Sequence, residues 1–327
     1  MPDPLNPDAL SPDPLSSDYM PQMQACAEAI KLGAPQYVLP TEHTAKVNGI
    51  DFHYLDWGND HLPHVVLLHG GALTAHTWDM ACLLLRDRYH IVAPDQRGHG
   101  DTGWTPEDQL GDNSDLMGED TQQFIDHLGF DRLSLVGMSM GGMNAIRYAA
   151  QHQDRLDALC IVDIAPETMR SGIVEMEQFR YDTETMDRFE DFLDRAQKMV
   201  PHRARAHLEY SLLHSLKPTE EGRWTWKQDN RGRRAADAPQ LSKEAMQAAF
   251  ASRADAMWDD LKAIETPTLL MRGGDSNVLA LDAAQRVAET MPDCRLVEIP
   301  GAGHRVQGDN PKDFAKELAA FLSETLS

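Results

Sequence analysis

No two cysteines in this sequence stand close enough to share a motif. Cys26, Cys82, Cys160 and Cys294 are scattered and no CxxC pair occurs, so neither a zinc knuckle nor a dithiol redox site is suggested. Cys82 and Cys160 sit in apolar runs and read as small buried hydrophobes of a reducing compartment. Basic residues are also scarce. The 30 Lys and Arg against 52 Asp and Glu give a formal net charge of -22. Such a surface repels a phosphate backbone, so nucleic acid is not an expected partner. The one compact basic run, RGRR from Arg231 to Arg234, is too short to reverse this and reads as solvated surface. Long apolar runs are missing too. None approaches the roughly 20 residues of a spanning helix, and no basic region followed by an apolar core opens the chain. A soluble, cytoplasmic protein without a membrane partner is expected; oligomeric state is not legible. No phosphate loop occurs: GMSMGG lacks the lysine of a Walker motif, and no GxGxxG precedes its helix.

What is present has a clear grammar. Residues 1–20 are rich in Pro, Asp and Ser and read as a flexible acidic tail that cannot bury enough apolar surface to order itself. QMQACAEAIKLG fits a short helix ended by Gly33. Two alternating runs then flank Asn48-Gly49, a strong hairpin signal. Six short apolar runs follow, starting at His64, His90, Arg132, Leu156, Thr266 and Cys294, each ended by Gly, Pro or Asp. Strands buried on both faces of a parallel sheet read this way. Helical patterns separate most of them, so the expected fold class is α/β, a doubly wound sheet opening with an antiparallel hairpin. Between Pro166 and Thr266 no buried-strand run occurs, only amphipathic pieces. A structureless loop of that length is unusual. The expected organisation is therefore a core of 21–166 and 266–327 with a helical cap at 167–265.

The chemistry centres on Gly137-Met138-Ser139-Met140-Gly141, a GxSxG pattern with a strand before it and a helix after it. That setting is a nucleophile elbow, which exposes the Ser139 hydroxyl at the sheet edge. A serine needs a base and an orienting acid. His304, in a Gly-rich loop past the last strand, is the base candidate. His69 and His99 read as loop organisers. Asp275 and Asp163 both follow strands and both keep the order Ser, Asp, His. Asp275 is preferred, because the Gly273-Gly274-Asp275 turn frees its carboxylate to reach sideways, and Asp163 then anchors the cap entrance. The developing oxyanion needs two donors. The backbone N–H of Met140 is one, and Gly71 in HGGALT is the first choice for the other, ahead of Ala72. Trp224 and Trp226 could line an apolar pocket, but such a pair more often packs the cap onto the core.

The segments VVLLHGG, DQRGHGDTGW, LVGMSMGG, LMRGGDSNVL and PGAGHRVQGDNP, in this order from about Thr41 to the C-terminus, resemble the α/β-hydrolase superfamily. The resemblance implies an eight-stranded, mostly parallel sheet with helices on both faces. It also implies a Ser139–His304–Asp275 triad under a cap, and no cofactor; no metal ligands are assigned. Ser139 argues against the dehalogenases and epoxide hydrolases of this fold, which carry Asp at the elbow. The expected activity is that of a carboxylesterase for small or medium apolar substrates, working through an acyl-enzyme. Carbon–carbon bond hydrolysis is the alternative enzyme reading, weakened because HGGALT stands where those enzymes show HGxGxG. A non-catalytic binder on the same fold is the competing class.

Overall fold

The hairpin signalled by Asn48-Gly49 opens the sheet. Strands β1 (Thr41–Val47) and β2 (Ile50–Asp56) pair antiparallel with Val47 opposite Ile50. Asn48 and Gly49 both take positive φ, 44° and 81°, as a two-residue turn matching the strand twist requires. The structure, a computed structural model, describes residues 18–33, 36–110, 114–169, 184–231 and 243–326.

All six apolar runs are strands: β3 (His64–Leu68), β4 (His90–Pro94), β5 (Leu133–Met138), β6 (Leu156–Val162), and, after the insertion, β10 (Thr268–Gly273) and β11 (Cys294–Ile299). They join the hairpin in one eight-stranded sheet of order β1-β2-β4-β3-β5-β6-β10-β11. Beyond β2, which pairs antiparallel with β1 and β4, the ladders are parallel. Val65 and Leu67 join one buried cluster, with Trp78 and Phe314. Val66 and Leu68 join the other, with Phe124 and Ile146. Alternate residues thus face different cores, and both faces are dry, which is why these strands are apolar throughout. Helices α1 (Met20–Ala29), α2 (Asp79–Leu85), α3 (Ser114–Leu128) and α4 (Met140–His152) precede the insertion, and α8 (Leu281–Thr290), α9 (Val306–Asp309) and α10 (Pro311–Thr325) follow it. No helix among the described residues is long and apolar enough to cross a membrane.

The insertion, expected as a helical cap, holds helices and also a small sheet. Helices α5 (Phe189–Met199) and α6 (Arg205–Ser215) pack with a small antiparallel sheet, β7 (Thr185–Met186), β9 (Trp224–Trp226) and β8 (Leu216–Pro218). These strands are two or three residues long, too short to show a period in the sequence. Phe192, Leu193, Leu208 and Trp226 form a core of their own there. Helix α7 (Lys243–Ala263) packs instead against α4. Leu261 at its end, and Ile264 just beyond, sit in the cluster that holds Ile146 and Leu270. The core therefore resumes with α7 rather than at residue 266. The expected tail also needs trimming. Residues 1–17 lie outside the described residues, but Tyr19 is buried against His76, Tyr210 and His214, and α1 starts at Met20. Of the basic run only Arg231 is described, and it is paired with Asp229.

Candidate active site

Strand β5 ends at Met138 and α4 begins at Met140, so one residue makes the whole turn. That residue, Ser139, has φ 51° and ψ -115°, a conformation that costs a non-glycine residue about 1–3 kcal/mol and persists only where the surroundings impose it. Here its N–H donates to Val162 O at 3.0 Å, and its carbonyl accepts from Met143 N–H at 3.0 Å. The flanking glycines are required by close approach. A Cβ on Gly137 would stand 2.2 Å from Gly141 O, and one on Gly141 would stand 2.2 Å from Leu68 O. The Ser139 hydroxyl makes no capping bond to its own helix, so the first N–H groups of α4 keep their donor capacity.

Asp163 leaves the neighbouring strand in the same way. Met138 pairs with Val162, so Ser139 and Asp163 step off adjacent strands at one level, and Asp163 also has positive φ, 52°. Its carboxylate is fully buried. Oδ2 accepts from His304 Nδ1 at 2.8 Å and from Ser276 Oγ at 2.5 Å, and Oδ1 accepts from Gly273 N–H at 2.9 Å. The expected partner of His304 was Asp275, and here the geometry corrects the sequence reading. Asp275 is exposed, and its backbone N–H donates to Ala302 O at 2.9 Å. The glycines before it serve another purpose: a Cβ on Gly273 would stand 2.1 Å from Gly303 O. They let the His304 loop pass close to β10, and do not free Asp275 to reach sideways.

His304 is 8% exposed, with Nδ1 held by Asp163 and Nε2 left over. No hydrogen bond joins Ser139 Oγ to His304 among the described residues; such contacts often close only when substrate is bound. Gly71 lies beside the start of α4, where a Cβ built on it would be 3.9 Å from Met140 Sδ. Its neighbour Ala72 takes positive φ, 62°. His69 organises this loop, as expected: Nδ1–H donates to Gly70 O and Nε2 accepts from Gln96 N–H, both at 2.8 Å. One ring nitrogen donates and the other accepts, as in a neutral imidazole, and complete burial pulls its pKa down in the same sense. Gln96 completes the arrangement, donating to His69 O at 2.5 Å and accepting from Asn144 Nδ2 at 2.7 Å. It thereby ties the Gly70–Gly71 loop to the helix that follows Ser139. Sequence reasoning missed Gln96, Asn144 and Ser276. Gln96 does stand at a strand end, the one signal available, but its partners are distant in the chain. His99 is a loop residue, its Nδ1–H donating to Arg97 O at 2.9 Å.

Asp95, one residue before Gln96, carries the loop from below. It accepts from Ala75 N–H at 2.7 Å, from Asp101 N–H at 3.0 Å and from His53 Nδ1 at 2.8 Å. Burial alone would lower the His53 pKa, but the hydrogen bonds to Asp95 and Glu42 outweigh it and raise it to about 10. A raised histidine pKa contributes stability that is fully present below the unfolded value of about 6.5. That stability is lost as pH climbs to about 10. The melting temperature of the wild type should therefore fall towards that of His53→Gln across this window. A constant gap between the two would show that the pair does not titrate there.

A cavity of about 450 Å³ lies between the insertion and the sheet domain, with Ala72 and His304 on one wall and Met199, Leu208, Leu212 and Trp226 on the other. Ser139 is not among its lining residues, so the cavity meets the candidate site on the His304 side. Trp226 packs edge-on against Phe192 at 5.2 Å, and Trp224 against Phe189 at 5.5 Å. The pair thus belongs to the insertion's own core, and of the two Trp226 lines the cavity. Arg203, between α5 and α6, is ion-paired with Asp309, which also accepts from Gly303 N–H at 3.0 Å. One carboxylate thus joins the insertion to the residue before His304.

Comparison with known proteins agrees with this architecture. Residues 63–311 match the family described as the alpha/beta hydrolase fold. The chain belongs to that family, and it is a hydrolase. It is similar to esterase Rv0045c of Mycobacterium tuberculosis, 29% identical over 82% of this chain and 85% of the relative. It is also similar to the bifunctional esterase/perhydrolase DCH of Acinetobacter calcoaceticus, 26% identical over 84% of this chain and 97% of the relative. A solved structure of the M. tuberculosis esterase, from work on its transition metal inhibition and structural refinement, superposes with a TM-score of 0.72. It is 26% identical and covers 94% of this chain and 99% of that one.

Proposed function

We propose that this hydrolase is a serine carboxylesterase in which Ser139 is the nucleophile, His304 the base and Asp163 the acid. The observation that carries the reading is the Asp163–His304 hydrogen bond of 2.8 Å, beside a strained elbow serine on the adjacent strand. Ser139 Oγ attacks the ester carbonyl and passes its proton to His304 Nε2. Asp163 holds the imidazole tautomer and stabilises the imidazolium. The N–H groups of Met140 and Gly71 receive the oxyanion. The alcohol leaves with the proton from His304, and water then hydrolyses the acyl-enzyme by the same steps in reverse. The esterase names of the relatives support ester chemistry. The apolar cap wall of Leu208, Leu212 and Trp226 supports a small or medium apolar substrate. Four unpaired cysteines support a reducing, cytoplasmic setting.

In this reading the cap sets substrate choice. Each extra buried methylene contributes about 0.8 kcal/mol, so kcat/KM on straight-chain esters should rise about fourfold per carbon until the cavity is full. Trp226→Ala should lengthen the preferred chain. Trp224→Ala, which does not touch the cavity, should leave the preference unchanged. A fluorophosphonate probe should label the wild type once, at Ser139. The same panel includes a ring-cleavage dione, and turnover of that compound with none of any ester would replace this reading by carbon–carbon bond hydrolysis.

A further inference from the structure

Away from Ser139, a second set of polar side chains is buried where the core meets the cap. His76 lies in the helical turn Ala75–Trp78 and Asp79 opens α2, while His214 lies in the last turn of α6. His76 Nδ1 is 2.8 Å from Asp79 Oδ2, which also accepts from the Tyr210 hydroxyl. The His76 and His214 rings stack with centroids 3.6 Å apart. Two of the atoms gathered here have no partner although they are buried, Asp79 Oδ1 and His214 Nε2. Asp79 is 0% exposed and His214 9%. A buried carboxylate oxygen and a buried imidazole nitrogen left bare in one cluster are costly, unless something they can both bind sits between them.

We propose that His76, Asp79 and His214 form a binding site for one divalent transition-metal ion of the zinc class, separate from the ester-cleaving site. Two imidazoles and one carboxylate are the ligands such ions prefer, with water to complete a tetrahedron. One ligand atom from each residue lies within 4.8 Å of the others. Bonds of about 2.0–2.2 Å draw tetrahedral ligands to about 3.3 Å of one another, so the two imidazoles, stacked 18° from parallel, must tilt out of their stack to aim both lone pairs at one ion. The ion takes the place of the hydrogen between His76 Nδ1 and Asp79, and His214 turns its bare Nε2 to it. Tyr210, donating to Asp79, orients the carboxylate as an outer partner. A cavity of about 30 Å³ adjoins the cluster on its His76 side, lined by His76, Tyr210, Ser211 and Ser215 but not by Asp79 or His214. The position gives the ion an effect. His76 and Asp79 follow the Gly70–Gly71 loop, and His214 belongs to the cap, so a bound ion staples the cap to the core beside the candidate active site.

The experiment uses the full chain freed of metal with a chelator, titrated with Co²⁺ and then Zn²⁺. One equivalent of Co²⁺ should bind with the strong visible absorption of a low-coordinate ion, Zn²⁺ should displace it, and the melting temperature should rise with Zn²⁺ concentration. His214→Gln and Asp79→Asn should each weaken binding by about a hundredfold or more, whereas His207→Gln, altering a neighbouring histidine, should not. Crystals soaked in Zn²⁺ should show one anomalous peak between His76, Asp79 and His214, a readout that needs no variant to fold. The proposal is overturned if no equivalent binds, if binding survives both ligand variants, or if the peak lies elsewhere. A buried water at the site that Zn²⁺ never displaces has the same meaning.

Discussion

Ser139→Ala should abolish ester turnover, by about a millionfold in kcat, the scale of removing the nucleophile from a serine hydrolase, while the protein stays folded. Fluorophosphonate labelling should vanish with it. The backbone separates the chemical role from a structural one. Ser139 holds φ 51°, a value alanine tolerates no better than serine and glycine tolerates freely. Ser139→Gly should therefore be equally inactive yet melt higher, as relief of the strain adds about 1–3 kcal/mol. Ester turnover persisting in the alanine variant would falsify the nucleophile assignment.

The second large effect separates the two carboxylates. Asp163→Asn should lower kcat about ten-thousandfold, because an amide favours the wrong imidazole tautomer at His304. Asp275→Asn, a change at an exposed side chain that is not the one hydrogen-bonded to His304 Nδ1, should stay within a few fold of wild type. Asp163 also accepts from Gly273 N–H and Ser276 Oγ, so its asparagine variant should melt lower. Kinetics are therefore compared at a temperature where circular dichroism shows both variants folded. If Asp275→Asn proved the crippled enzyme, the acid role would pass to it and the observed pairing would be a resting arrangement.

Much of the fold was legible because its signals are local. Continuous apolar runs such as the one from His64 mark strands buried on both faces, and Asn48-Gly49 marks a turn with two positive φ angles. Gly137, Ser139 and Gly141 mark the elbow because backbone crowding within a few residues demands them. The insertion was legible only as a long gap in the strand pattern. Its three short strands carry no period, and α7 looks like the cap helices until its partner α4 is known.

By itself the sequence determined the strand–turn–helix around Ser139, the place of His304 past the last strand, and an α/β sheet to hold them. It favoured Asp275 over Asp163 on the strength of a glycine turn, although each is a carboxylate just past a buried strand and the difference lies in direction. Only the tertiary structure decided which of them lies against His304. Positive φ at Asp163 turns its carboxylate under His304, while the close passage of Gly303 over Gly273 uses up the freedom that Asp275 needed. The same holds for Gln96 with Asn144, and for His76 and Asp79 with His214. Each set is assembled across tens of residues or more by packing of the sheet and cap, and a contact made by packing leaves no spacing in the chain to be read.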